Sequence, residues 1–241
     1  MVEALATRMK LNYELRQRPS LIKRVPVILR VDGRAFHTFT ASFERPFSKR
    51  IIAAMVAAAR NVAKEMSGTK AVYIQSDEAS FLLTDYDKLQ TQPWFEYNQQ
   101  KLTSIAAALM SVHFNAEINC EPPAKAVFDA RAFNVPREEV ANYFLWRMQD
   151  WKRNSLQMFA GAFFSHAQLM NKNEADKHEM LHDIGENWAS LQDQEKNGTW
   201  LLYDPIASSW DAVTDILPRY SDIATQLEPL INCDQHFSTQ E

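Results

Sequence analysis

Glycine is scarce in this chain of 241 residues, which has only 5 glycines and 10 prolines. The sequence contains neither GxGxxG nor GxxxxGK[ST], so it lacks the dinucleotide-binding fingerprint and the glycine-rich phosphate loop. So few glycines also exclude a collagen-like architecture. With 46% hydrophobic and 23% charged residues, the composition is that of a globular protein with one large domain, or one domain and an appendage.

Cysteine is equally rare. Cys120 and Cys233 lie far apart and form no CxxC pair, so we expect neither a structural zinc site nor a disulfide framework. No apolar run approaches the roughly 18 residues that a membrane span needs. The first ten residues carry charges and lack the apolar stretch of a signal peptide. We therefore expect a cytoplasmic protein without a membrane partner.

Positive charge is not in excess, since the formal net charge is −4. Its distribution is uneven, however. Residues 8–24 contain six basic residues and one acidic residue, whereas residues 201–241 contain seven acidic residues and one basic residue. A local basic segment of this kind can contact phosphates even in an acidic chain, although, taken alone, it is more simply explained as a solvated surface.

Hydrophobic periodicity predicts alternating strands and helices. The β-branched run over 25–31 predicts a buried strand, and helical spacing over 48–66 predicts a helix that Ser48 caps and Gly68 follows. Strand-like runs over 70–75 and 79–84 flank a polar break that is typical of a hairpin. The other predicted elements are a helix over 97–114, a strand over 125–135, helices over 137–151, 154–170 and 174–182, and a strand over 199–203.

This order of elements predicts an α+β fold, with an antiparallel sheet and helices on one face, in preference to a doubly wound parallel sheet. We expect residues 1–203 to form the main domain with helical additions. Residues 204–241, which are acidic and contain three prolines, are expected to form a C-terminal appendage.

The most informative residues are carboxylates at predicted strand ends. Asp32 follows the first strand directly, and Asp77 and Glu78 lie in the hairpin turn. Neighbouring strands would bring these like charges together, which is unfavourable unless a cation compensates. Oxygen ligands on a rigid edge suit Mg²⁺, and the carbonyl of Gly33 could approach a metal closely because glycine has no side chain. Ordinary turns are the alternative interpretation of both segments.

Four segments resemble the tRNA-histidine guanylyltransferase-like family. Residues 30–39 are similar to its RxDGRxFHxF signature, and residues 74–81 to its GQSDExSF segment. Residues 128–131 and 175–179 are similar to its FDGR and ADKNE segments. The order also matches, and the resemblance covers roughly residues 20–203. It implies a polymerase-type palm that adds nucleotides in the 3′→5′ direction to the 5′ end of an RNA, usually a tRNA, after activation by ATP or GTP.

The resemblance also implies roles for individual residues. Asp32, the Gly33 carbonyl and Asp77 would hold two Mg²⁺ ions with Glu78 in support, and Arg45 would serve the activation step. The residues expected near the nucleotide are Arg34, Ala35, Phe36, His37, Ser76, Lys177, Glu179 and Asn187. The family further implies a homotetramer.

Two features concern the RNA substrate. Lys152, Arg153 and Asn154 are predicted at a helix junction, where they could contact RNA or simply end a solvated helix. The eukaryotic His-Ile-Asn-Asn-Leu-Tyr-Asn run is also replaced here by residues 152–158. This departure favours the bacterial, archaeal and viral Thg-like proteins and template-directed repair of truncated tRNA. Addition of one G to tRNA-His, and an RNA- or nucleotide-binding module without polymerase activity, are the alternatives.

Overall fold

An antiparallel sheet runs through the centre of the computed structural model, which describes residues 4–88, 90–120 and 125–232. Within these residues the sheet has six strands in the order β4-β1-β3-β2-β5-β6. The strands are β1 (Val27–Gly33), β2 (Thr69–Gln75), β3 (Glu78–Leu83), β4 (Phe128–Asn134), β5 (Thr199–Asp204) and β6 (Ser209–Val213). Each strand pairs antiparallel with its neighbours.

Helices of very different lengths surround the sheet. They are α1 (Leu5–Met9), α2 (Phe36–Phe39), α3 (Lys49–Glu65), α4 (Gln99–Ile118), α5 (Arg137–Gly161), α6 (His166–Leu169), α7 (Glu174–Asp183), α8 (Asp193–Asn197) and α9 (Tyr220–Ile231). As predicted, Ser48 caps α3, because its side chain accepts a hydrogen bond from the backbone N–H of Ile51.

Helices cover both faces of the sheet. On one face, α3 and α4 pack on a core that includes Leu29 and Phe81. On the other face, α5 and α9 pack on a core that includes Ile28, Leu82 and Trp200. The expectation of helices on one face is therefore wrong. The physical reason lies in the strands, since every residue of β3 is buried and none of its side chains is left for solvent.

The topology identifies the core of the fold. Helix α3 connects β1 to β2, the β2–β3 hairpin follows, and α4 connects to β4. This is a β-α-β-β-α-β arrangement with β3 between β1 and β2. The α+β class is thus confirmed, and the fold is of the palm type.

The segment after residue 204 adds β6 to the sheet edge and packs α9 against α5. Residues 233–241, including Cys233, lie outside the described residues.

One predicted junction is wrong. Helix α5 continues without a break through Lys152, Arg153 and Asn154. No glycine or proline interrupts it there, and its buried side continues from Trp151 to Ser155. The predicted helix over 154–170 instead ends at Gly161, and the short α6 follows. Among the described residues, no helix is long and apolar enough to cross a membrane.

Candidate active site

The predicted strand-end carboxylates meet at one end of the sheet. Strands β1 and β3 are antiparallel neighbours, and their register pairs Asp32 with Glu78. The backbone N–H of Gly33 donates to the Asp77 carbonyl at 3.1 Å. A Cβ atom at Gly33 would lie 2.8 Å from Oδ2 of Asp77, so only glycine fits between β1 and this carboxylate.

The Asp77 carboxylate lies within the electrostatic influence of Asp32. Burial raises the pKa of Asp77, and the charge of Asp32 raises it further. Within the described residues, neither carboxylate forms a salt bridge with a Lys, Arg or His side chain. Two acids held together in a partly buried site without a protein cation are the arrangement that a divalent cation would stabilise.

A cavity of about 710 Å³ opens beside these carboxylates. Its volume is in the range of small-molecule and cofactor sites. Its lining comes from the end of β1, from α2 and the segment after it, from the start of α3, from the β2–β3 turn and from α5. Eight predicted site residues line this cavity: Asp32, Gly33, Ala35, Phe36, His37, Arg45, Ser76 and Asp77.

The loop after β1 is fixed by its aromatic residues. Phe36 is buried and packs its ring against those of Phe39, Phe114 and Phe128, with centroids 5.1 to 5.5 Å apart. Ala35 precedes it in the left-handed conformation, with φ at 52°. This turn starts α2 at the cavity wall, where the first N–H groups of a helix have no intrahelical acceptor.

Glu78 faces a second, smaller cavity. Its carboxylate accepts two hydrogen bonds from the Arg147 guanidinium, both at 2.8 Å, and both side chains are buried. Burial raises the pKa of Glu78, and Arg147 opposes that shift. The adjoining cavity, of about 430 Å³, is also lined by Asp32, Asp77 and Asn154. Glu78 therefore ties the hairpin to α5 immediately behind Asp32.

Other predicted site residues lie away from both cavities. Arg34 is exposed and lines neither, although its backbone N–H donates to the Val127 carbonyl. Lys177 and Glu179 lie on α7, and the Asn187 side chain caps the turn at Ala189. On α5, Lys152 and Arg153 are exposed; Arg153 pairs with Asp150, and Lys152 lies over the Trp188 ring.

Sequence reasoning missed the role of Arg147. Its position does carry a signal, because Phe144, Arg147 and Trp151 follow the spacing of a buried helix face. A charged residue in such a stripe requires a buried partner. The acid at position 78 could have been proposed on that ground.

Comparison with known proteins shows the family to which the chain belongs. The sequence profile of the family described as Thg1, tRNAHis guanylyltransferase, matches residues 6–136. The tRNA(His) guanylyltransferase of Debaryomyces hansenii is 32% identical over 197 residues, covering 73% of this chain and 72% of that protein.

Solved structures extend the likeness to nearly the whole chain. A bacterial Thg1-like protein in complex with ATP superposes with a TM-score of 0.90 at 37% identity, covering 96% of this chain and 100% of its own. A bacterial Thg1-like protein in complex with GTP superposes with a TM-score of 0.81 at 35% identity, covering 95% of this chain and 99% of its own. Fold and site together define a palm-type nucleotidyltransferase. The chain belongs to the Thg1 family of tRNA guanylyltransferases.

Proposed function

We propose that this chain activates the 5′-phosphate of tRNA with ATP or GTP and then adds nucleotides in the 3′→5′ direction to repair truncated 5′ ends. The observation that carries the proposal is that Asp32 and Asp77 meet at a cavity of about 710 Å³ with no ion-pair partner in the part of the chain that the structure describes. Structures of similar bacterial proteins with ATP and with GTP support a nucleoside triphosphate as the occupant.

The residues present fit a pair of Mg²⁺ ions. Asp32, Asp77 and the Gly33 carbonyl would hold them, since no described Lys, Arg or His side chain forms a salt bridge with either of these partly buried acids. When bound, Mg²⁺ would lower the pKa of an attacking hydroxyl and neutralise charge on the departing phosphate oxygen. The protein itself supplies rigidity: the Glu78–Arg147 ion pair fixes the hairpin end that carries Asp77.

The rest of the cavity offers groups for a triphosphate. His37 and Ser76 are exposed at its wall, and Ala35 and Phe36 at the start of α2 also line it. Arg45 also lines the cavity and is exposed. We assign it to the activation step, where a fixed positive charge would stabilise phosphate oxygens.

RNA would approach along α5 and α7. Lys152 and Arg153 are exposed on the α5 surface, and Asn154 lines the smaller cavity beside the carboxylates. Lys177 on α7 is half-buried and would add a further charge for the nucleotide or RNA phosphates. The loss of the eukaryotic run at 152–158 favours repair over strict addition of one G to tRNA-His.

We also propose a homotetramer as the working form. The N-terminal helical segment has no buried residue, and it exposes apolar side chains next to basic ones. The exposed apolar residues are Leu5, Met9, Leu11, Tyr13 and Leu15. A contiguous set of this kind is suited to a contact between subunits.

The test is an extension assay with product sequencing. The full chain is incubated with Mg²⁺, ATP, GTP and a panel of tRNAs that lack one or more 5′ nucleotides and carry a 5′-monophosphate. We expect products lengthened to match the complementary strand. Addition of one G to tRNA-His alone would establish the first alternative, and tight tRNA binding without any extension would establish a binding module.

Variants link that reaction to the site. Asp32→Ala and Asp77→Ala should abolish extension because each removes a metal ligand. Asp193→Ala is the matched control, since this exposed acid on α8 lies outside both cavities of the site. Undiminished extension in the first two variants would reject the proposed function.

A further inference from the structure

A third cavity, of about 820 Å³, lies between the C-terminal half of α3 and the β5–β6 edge of the sheet. It is separate from the carboxylate site. Thr69 at the start of β2 lines it, whereas Gln75 at the other end of β2 lines the two cavities near Asp77. Strand β2 spans seven residues, so its two ends lie about 20 Å apart.

The charge on its walls is positive. Arg60, Lys64 and Lys70 line the cavity together with one acid, Asp87. Lys70 forms an ion pair with Asp87, which leaves the charges of Arg60 and Lys64 uncompensated among the lining residues.

Arg60 is the more unusual of these two cations. Its Nε atom is buried and, across the described parts of the chain, has no hydrogen-bond partner. A buried donor without an acceptor is unfavourable, and an anionic oxygen entering the cavity would relieve that cost. Lys64 is exposed one helical turn further on, on the same side of α3, so both could contact one phosphate group.

Two aromatic rings also line the cavity. Tyr203 on β5 and Trp210 on β6 are cross-strand partners, and their ring centroids lie 5.3 Å apart. Both residues are half-buried and line the cavity. A planar base can stack on such a surface whatever its sequence, because every base has a π-face.

We propose that this cavity binds a nucleotide, with its phosphate on Arg60 and Lys64 and its base against Trp210 and Tyr203. The volume is in the range of small-ligand sites. The ligand can be a free nucleotide or an unpaired nucleotide of an RNA strand, since both offer the same phosphate and base. The proposal does not depend on the reaction at Asp32 and Asp77, so each can fail without the other.

The test uses two photoreactive probes on the full chain. One is 8-azido-ATP, and the other is a single-stranded oligoribonucleotide that contains 4-thiouridine. After irradiation, labelled peptides are mapped by mass spectrometry. We expect label on the peptide that spans Tyr203 and Trp210. Label from 8-azido-ATP identifies a free nucleotide, label from the RNA strand identifies a nucleotide within RNA, and no label from either probe overturns the proposal.

Variants then test the chemistry. With the probe that labels this peptide, Arg60→Gln combined with Lys64→Gln should weaken the labelling affinity at least fivefold and make it less dependent on salt. Trp210→Leu should weaken it about fivefold or more through lost stacking. Lys101→Gln, on α4 outside all three cavities, should leave it unchanged.

One of these variants separates a loss of binding from a failure to fold. Trp210 packs against the core, so Trp210→Leu could fail to fold, but Lys64 is exposed and its single substitution to Gln leaves the core intact. We expect Lys64→Gln alone to reduce labelling measurably. Unchanged labelling affinity in both the Lys64 variant and the double variant would overturn the proposal.

Discussion

Asp77 places a negative charge where the folded protein disfavours it. Burial, and then the neighbouring charge of Asp32, raise the pKa of Asp77 above its ordinary value of 3.8. The folded state therefore holds this proton more tightly than the unfolded state. The stability contributed by this group is greatest below pH 3.8 and declines as pH rises through the higher folded pKa. At neutral pH the ionised carboxylate is a cost that a bound cation would offset.

A first prediction follows from that cost. In the absence of divalent metal, Asp77→Asn should unfold at a higher temperature than the wild type at pH 7, because a neutral amide replaces a disfavoured charge. The difference should shrink as pH falls towards 3.8. Adding Mg²⁺ should raise the melting temperature of the wild type more than that of the variant. Thermal unfolding with and without Mg²⁺ measures both effects, and equal Mg²⁺ responses would contradict the metal assignment.

A second prediction concerns Gly33. A Cβ atom there would lie 2.3 Å from the Phe36 ring and 2.8 Å from the Asp77 carboxylate. Gly33→Ala should therefore destabilise the protein by about 1–3 kcal/mol through overcrowding and displace Asp77, with a large loss of extension activity. Denaturant unfolding and the tRNA extension assay measure the two effects.

Gly161 provides the matched control for that substitution. A Cβ atom at this helical position meets nothing within 4 Å. Gly161→Ala should keep its stability or gain up to about 1 kcal/mol, since alanine favours the helix. If the two glycine variants behaved alike, the close fit at Gly33 would have no functional meaning.

At the scale of elements, the Glu78–Arg147 ion pair joins the β2–β3 hairpin to α5. The two hydrogen bonds of 2.8 Å form a bidentate contact in which both side chains are buried. Arg30 approaches the same carboxylate at 4.0 Å, and Asp150 accepts from Arg147 at 3.1 Å. The contact sets the position of the hairpin end, and therefore of Asp77, relative to β1.

A third prediction tests this connection. Arg147→Met should destabilise the fold by about 3–5 kcal/mol, because the buried Glu78 carboxylate loses both 2.8 Å hydrogen bonds and keeps only the more distant Arg30 as a cationic neighbour. The double variant Arg147→Met with Glu78→Gln should recover much of that loss, since the buried carboxylate charge is removed together with its partner. Denaturant unfolding of both proteins provides the comparison. A double variant no more stable than the single one would show that the charge is not the cause.

Strands and helices were predictable where two local features of the sequence agreed. The strand before Asp32, the helix capped by Ser48 and the hairpin at residues 76–78 each combine a hydrophobic period with a cap or a turn, and the structure has all three. The α5 prediction failed because three polar residues, 152–154, suggested a break, although they lie on the solvent side of a helix whose other side stays buried. The composition of a short stretch of sequence does not show which side of a helix faces the core.

The site was only partly predictable for a related reason. Asp32, Gly33 and Asp77 lie next to predicted strand ends, so a sheet alone brings them together. The partner of Glu78 is 69 residues away on α5, and no local pattern specifies which helix crosses that edge. Likewise, the cavity at Arg60 and Trp210 depends on β6 pairing with β5 at the far edge of the sheet.

At the scale of the whole molecule, the exposed N-terminal helical segment predicts an assembly. Leu5→Glu combined with Met9→Glu should reduce the mass in solution below that of the proposed tetramer, because charges would oppose an apolar contact. Light scattering after size-exclusion chromatography measures that mass. Ile206→Glu is the matched control, since Ile206 is 96% exposed in the β5–β6 turn. An unchanged mass in the double variant would exclude this contact.

The most direct test of the account is a count of divalent ions at Asp32 and Asp77. Mn²⁺ binding to the full chain, in the presence of a non-hydrolysable ATP analogue, is measured by electron paramagnetic resonance. We predict two ions bound per chain in the wild type, and loss of at least one in both Asp32→Asn and Asp77→Asn. The same two ions in the wild type and in both variants would contradict the claim that these carboxylates hold the metal.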